Sequence, residues 1–315
     1  AVLALHQFRN PHGAAYAKAE LVLAKGRNTR LKRIARVKDV VAQIVIGCAV
    51  QTVGARLGYQ IDKSTRSAAD FGIDAVILAD PGLMAYARKT HPQLRLHLSV
   101  QGSATSYDAI NFYHRHFGVS RAVLPRVLSL AQVEQLAANT PVEIEVFGFG
   151  GLCVMVEGRC TLSAYATGVS PNCNGACSPA GAVRWEHTDT GVETRVNGLL
   201  IDRFGNNERA GYPTLCKGRF EVDAETYYAI EEPTSLNTLE LLPELLRIGV
   251  RAVKIEGRQR SPAYVAQVTR TWRAAIDACR RDPAGFRPLP AWMVDLNKLS
   301  EGSSHTLGAY HRPWK

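Results

Sequence analysis

The chain reads as an α/β fold, a (β/α) TIM-barrel-like domain with a cysteine-bearing insertion. Three observations predict it. From about residue 70, short β-branched apolar runs alternate with helical stretches, as βαβ units with a parallel sheet require. A long irregular stretch rich in Gly, Pro, Asn and Cys interrupts the alternation at about 149–220, after which it resumes. Polar and charged residues gather where the strands end, which is where barrel enzymes carry their chemistry.

Taken in order, Asp74–Asp80 (DAVILAD) predicts a buried strand and Gly82–Lys89 the helix after it. Arg95–Gln101 (RLHLSVQ) predicts the next strand and Tyr107–Phe117 the next helix. Arg121–Arg126, Leu130–Ala138 and Val142–Gly148 (VEIEVFG) continue the pattern. Beyond the insertion, Leu236–Ile248 predicts a helix, Arg251–Gly257 (RAVKIEG) a strand and Ala263–Arg281 a helix. Side chains alternate along a strand. His97, Ser99 and Gln101 therefore share one face, as do Glu143, Glu145 and Phe147, and Lys254, Glu256 and Arg258. Charges on a strand buried on both faces are costly unless paired. Two readings stand: an interior salt bridge of Lys254 with Glu256 or Glu145, or the polar floor of an active site. The second makes Gln101, Arg126, Glu145, Lys254, Glu256 and Arg258 the candidate catalytic residues.

The barrel domain occupies residues 68–315, and residues 1–67 stand apart as a basic segment. That segment holds twelve Lys/Arg against three acids (Glu20, Asp39, Asp62), most of the net charge of +10. A basic surface attracts nucleic acid or anionic lipid, but a dispersed excess is equally a solvated face, and nucleic acid is not the expected partner. An Arg-rich, acid-poor stretch also resembles an organelle transit peptide. Val40–Val50 reads as a strand or a buried helix, and Leu31–Val41 as a basic amphipathic helix. Arg9 and His12 break the opening apolar run, unlike a secretory signal. Val40–Val50 is also too short to span a bilayer. A cytoplasmic location is expected, where thiols stay reduced.

Of seven cysteines, five fall between Cys153 and Cys216. Cys153 and Cys160 lie in the glycine-rich run EVFGFGGLCVMVEGRCTLS, Cys177 in SPNCNGACSPAG and Cys216 in YPTLCKGRF. Their spacing fits neither a zinc ribbon nor a disulfide framework. Four thiolates without a histidine suit an iron–sulfur cluster. Zinc is the alternative, although only Cys173 and Cys177 have the close spacing its structural sites use. A CxxxCxxC triplet starting at Cys173 fails at Ala180, and a nucleophilic cysteine lacks a nearby base, since the first histidine in this region is His187. Cys48 and Cys279 sit in apolar contexts and read as packing residues. Cys173 is a spare thiol.

EVFGFGGLCVMVEGRCTLS resembles the signature of the peptidase U32 (collagenase-like) family, with Glu145, Phe147, Gly150, Leu152, Cys153, Gly158, Cys160 and Ser163 at its positions and Gly151 as a mild departure. KIEGRQRSPAYVA (Lys254–Ala266) is similar to the second family motif. YATGVSPNCNGACSPAG, GYPTLCKGRF and LSEGSSHTLGAYHRPWK narrow the resemblance to the UbiU subfamily, over roughly residues 68–315. The resemblance implies a [4Fe–4S] cluster on Cys153, Cys160, Cys177 and Cys216. It also implies a heterodimer with a UbiV-like homologous subunit, and an oxygen-independent hydroxylase of oxidoreductase type in anaerobic ubiquinone biosynthesis. The substrate would be a lipid-tailed ubiquinone precursor, with prephenate as oxygen donor. Two alternatives are RNA base hydroxylation, as in other family members, and a cluster-bearing subunit whose partner does the chemistry. Peptidase activity is not expected. Family members open with a strand and a Cys-Pro-Ala-Gly turn that residues 1–67 do not match, and Ala1 stands first. The N-terminal part is therefore expected to be atypical or incomplete, with one or two barrel strands missing.

Overall fold

The computed structural model describes residues 3–6, 44–47, 75–171, 176–257 and 260–312. Strands β1 (Leu3–His6), β2 (Ile44–Gly47), β3 (Ala75–Leu78), β4 (Leu96–Leu98), β5 (Val119–Val123) and β6 (Glu143–Gly151) pair in chain order, each parallel to the next. β13 (Ala252–Ile255) runs parallel along the other edge of β6. β12 (Ser235–Asn237) pairs antiparallel with Phe149–Gly151, on the edge that β5 leaves free, and β14 (His305–Thr306) extends it. The result is a mixed α/β fold around a nine-stranded sheet. β1 lies near β13, but among the described residues no ladder joins them, so the sheet curls without closing and a TIM barrel is not shown.

Helices cross between the strands because their ends are marked. The Asp80 carboxylate accepts from the Leu83 amide at 2.8 Å to open α1 (Pro81–Thr90), with proline in its first turn. Ser106 caps α2 (Tyr107–Phe117), which ends at Gly118 with φ 69°. Ser129 and Gln132 form a capping box on α3 (Leu130–Ala138). These helices bury Leu83, Met84, Ala87, Ile110, Val133 and Leu136 against Val76, Leu98, Ala122 and Val146 of the sheet. Helix α4 (Thr161–Thr167) lies in the insertion, and α5 (Leu242–Arg247), α6 (Pro262–Arg281) and α7 (Pro290–Leu299) follow it. A second core packs Val268, Trp272 and Ala275 of α6 on Phe149, with Leu239, Leu242 and Leu296. A Cβ on Gly148 would sit 2.2 Å from Val253 and 2.9 Å from Trp272, so only glycine lets α6 approach β6 this closely.

Several expectations are corrected. The strand expected at Arg121–Arg126 begins at Val119 and ends at Val123, leaving Arg126 in the loop beyond it. Leu236 is not helical. It lies in β12, and the chain turns through a 3-10 segment (Leu239–Leu241) before α5 starts. A three-residue strand is too short to show a period, so its Leu236 was absorbed into the helical pattern downstream. The insertion is largely β structure. β7 (Val183–Thr188), β8 (Gly191–Val196) and β9 (Leu199–Gly205) form an antiparallel sheet, and β10 (Phe220–Val222) with β11 (Glu225–Tyr227) a hairpin. Asn197 and Gly198, both at positive φ, mark the turn between β8 and β9, a hairpin signal present in the sequence. Within Val40–Val50 the chain forms β2, which decides for the strand. Leu31–Val41, Cys48, Cys173 and Arg258 lie outside the described residues. No helix among the described residues is long and apolar enough to cross a membrane.

Candidate metal centre

β6 runs past its neighbours and delivers Gly151 and then Cys153 beyond the end of the sheet. Seven residues on, Cys160 opens α4, its Sγ accepting from the Ser163 amide at 3.4 Å. Ser163 turns back on the next cysteine loop, donating to the Cys177 carbonyl at 2.8 Å. Tyr212 donates to the Ser178 carbonyl at 2.8 Å, which ties that loop to the segment carrying Cys216. As a result, Cys153, Cys160, Cys177 and Cys216 line one cavity of about 130 Å³. All four are free thiols, with Cys177 the most exposed. Burial pushes the Cys153 thiol up to about 12, with the Glu157 carboxylate adding to it and Arg126 opposing. Burial likewise lifts Cys216 to about 12, and the neighbouring Cys177 contributes next. Thiols that raise one another's proton affinity are stabilised as thiolates when a cation joins them.

The wall of the cavity is ionic. Arg126 Nε donates to Glu157 at 2.8 Å and its Nη1 to Glu256 at 3.0 Å and to the Gly151 carbonyl. Its guanidinium lies 4.2 Å over the Phe147 ring. Burial disfavours the charge on Glu256, but Arg126, Lys217 and Arg260 outweigh it and hold the carboxyl below its usual range. Lys217 forms an ion pair with Glu301 and donates to the Thr234 carbonyl at 3.3 Å, and Arg260 reaches the same Glu301 at 2.8 Å.

The structure therefore brings together the four cysteines with Arg126 and Glu256. It does not bring Gln101, Glu145 or Lys254 to them, since none lines the cavity. Gln101 sits in a 3-10 turn after β4. Glu145 and Lys254 pair at 3.5 Å inside the sheet, the interior salt bridge weighed above. Sequence reasoning missed Glu157, Lys217 and Glu301. Each stands in a motif already quoted (VEGRC, LCKGR, LSEG), so adjacency to the cysteine motifs was the available signal.

Whether these residues suit a metal group turns on their donors. Among the described residues, no three His, Cys, Asp or Glu side chains converge on a single-ion site. The four thiols instead surround a space. Four cysteine donors lining one space are a set that both a cluster of several metal atoms and a zinc ion take. Among the described residues, no histidine lines the cavity.

Comparison with known proteins points the same way for the family. Residues 54–313 match the family model described as "Peptidase family U32". The chain is 31% identical over 265 residues to "tRNA hydroxylation protein P" of Escherichia coli (strain K12), covering 77% of this chain and 56% of that protein. It is 30% identical over 246 residues to "tRNA hydroxylation protein P1" of Bacillus subtilis (strain 168), covering 78% and 52%. A similar match, 33% over 217 residues covering 65% and 45%, is to a "Collagenase" of Porphyromonas gingivalis (strain ATCC BAA-308 / W83). The chain spans about half the length of the curated relatives it matches.

Proposed function

We propose a function from the premise that this chain belongs to peptidase family U32: it is the iron–sulfur component of an oxygen-independent hydroxylase. Cys153, Cys160, Cys177 and Cys216 would hold a [4Fe–4S] cluster. The observation that carries this reading is that four free thiols from three separate segments line one cavity. When bound, the cluster would supply one-electron transfer. The chain's own residues hold its loops: Arg126 the run from Cys153 to Cys160, and Lys217 the segment of Cys216. Arg126 engages Glu157 through Nε and Glu256 and the Gly151 carbonyl through Nη1.

On the UbiU-type motifs, the substrate is a lipid-tailed ubiquinone precursor, prephenate the oxygen donor and a UbiV-like homologous subunit the partner. A second reading, hydroxylation of RNA, is favoured by the names of the E. coli and B. subtilis relatives.

The test is anaerobic purification with the partner subunit co-expressed, followed by iron and sulfide analysis. About four of each per chain are expected for this cluster type, and Cys153→Ala should abolish both. Iron-free protein, or a single zinc, would overturn the cluster reading. Turnover of a ubiquinone precursor against tRNA transcripts then separates the two substrates. Turnover surviving Cys153→Ala would move the chemistry to the partner.

A further inference from the structure

Resting on the reading that these thiols are ligands, we infer that Arg126 and Lys217 are positioning residues. They form two clamps, one on each half of the thiol cavity, that set it before any cluster enters. Arg126 follows β5 in the chain, yet its one planar group binds three other segments. It takes the Gly151 carbonyl at the end of β6, Glu157 between Cys153 and Cys160, and Glu256 just past β13. Phe147 supports its face. The loop is pinned where it leaves the sheet, two residues before Cys153, and again three residues before Cys160. Ser103 secures the same point by donating to the Glu157 carbonyl at 2.7 Å. Gly150, at φ 143°, permits the closeness, because a Cβ there would lie 2.4 Å from Glu256 Cβ.

The other half is built differently. Lys217 directly follows Cys216, is buried, and reaches across to Glu301 and the Thr234 carbonyl, while Arg260 shares Glu301. The two sets meet at one backbone group, since the Leu152 amide also donates to the Thr234 carbonyl at 3.4 Å, while among the described residues no side-chain hydrogen bond joins Arg126, Glu157 or Glu256 to Lys217, Arg260 or Glu301. A fork that engages three partners has no equivalent in lysine, whose ammonium is a point charge. Arg126→Lys therefore separates geometry from charge.

The test reads thiols in the full chain after reduction and chelation of metal, with iodoacetamide labelling resolved cysteine by cysteine by mass spectrometry. Losing a charge-assisted hydrogen bond is expected to raise local opening by about tenfold. Arg126→Lys and Arg126→Gln should both speed labelling of Cys153 and Cys160 by about that factor and leave Cys216 unchanged. Lys217→Met should do the reverse. Removing positive charge alone would slow labelling, since the thiolate is the reacting form. Cys279, buried in α6, reports global unfolding. If Arg126→Gln exposes Cys279, Glu157→Leu, which removes the acceptor of a single arm, must give the same selective pattern. Wild-type rates in Arg126→Lys, or parallel acceleration at Cys153, Cys160 and Cys216, would overturn the clamps. The assay needs no cluster, so an iron-free wild type refutes the ligand reading while leaving the clamp result to stand or fall separately.

Discussion

Two buried ionic groups lie on either side of Phe147 along β6, and they are built to different standards. Inside the sheet, Arg121 meets Glu143 at 2.6 Å and Glu145 at 3.6 Å, with Lys254 at 3.5 Å from Glu145. There, both ring nitrogens of His97, Nη1 of Arg121 and Oε2 of Glu145 have no hydrogen-bond partner among the described residues. Beside the cysteines, Nε and Nη1 of Arg126 meet three partners, and Oε2 of Glu157 is the buried atom of that group without one among the described residues. Charge on a strand is therefore not the mark of a site. What separates the groups is their neighbours: one touches the thiol loops and fixes them, and the other balances charge within the sheet.

The largest expected effect tests that division. Glu145→Leu strips the shared carboxylate from two buried cations and should cost about 3–5 kcal/mol in urea unfolding, with iron per folded chain unchanged. Lost iron at unchanged stability would join the two groups into one site. Next comes pH. Burial, then Arg121, Arg95 and Lys254, lower the His97 pKa from 6.5 to about 3. The folded state thus binds its proton less readily than the unfolded state, so stability is full above about 6.5 and is lost as pH falls toward 3. His97→Phe should flatten that part of a pH series of melting temperatures. A slope that survives the change would assign it to other groups. The smallest effect sets the floor of the scale. The exposed Arg247–Glu244 pair on α5 should leave the urea midpoint unmoved in Arg247→Gln, because solvent screens it.

Much of the frame was legible because it obeys local rules. Helices Tyr107–Phe117 and Leu130–Ala138 follow from a serine cap and an apolar stripe, and Ala75–Leu78 from an uninterrupted apolar run. The cysteines stood out by rarity and crowding. What stayed hidden depends on distant partners. Glu145 and Glu256 look alike in sequence, yet one meets Lys254 within the sheet and the other Arg126 at the cavity. Likewise Leu236 joins a strand only because Gly150, far earlier in the chain, offers its edge.

That last pairing has a consequence of its own. Gly151 and Ser235 are ladder neighbours, so the polypeptide departs and returns at adjoining rungs. The stretch bearing Cys153, Cys160, Cys177 and Cys216 is thereby a detour with a closed doorway, grafted onto a sheet whose continuity does not run through it. Such a cassette can lengthen, shrink or be exchanged at modest entropic cost while the underlying scaffold stays unchanged.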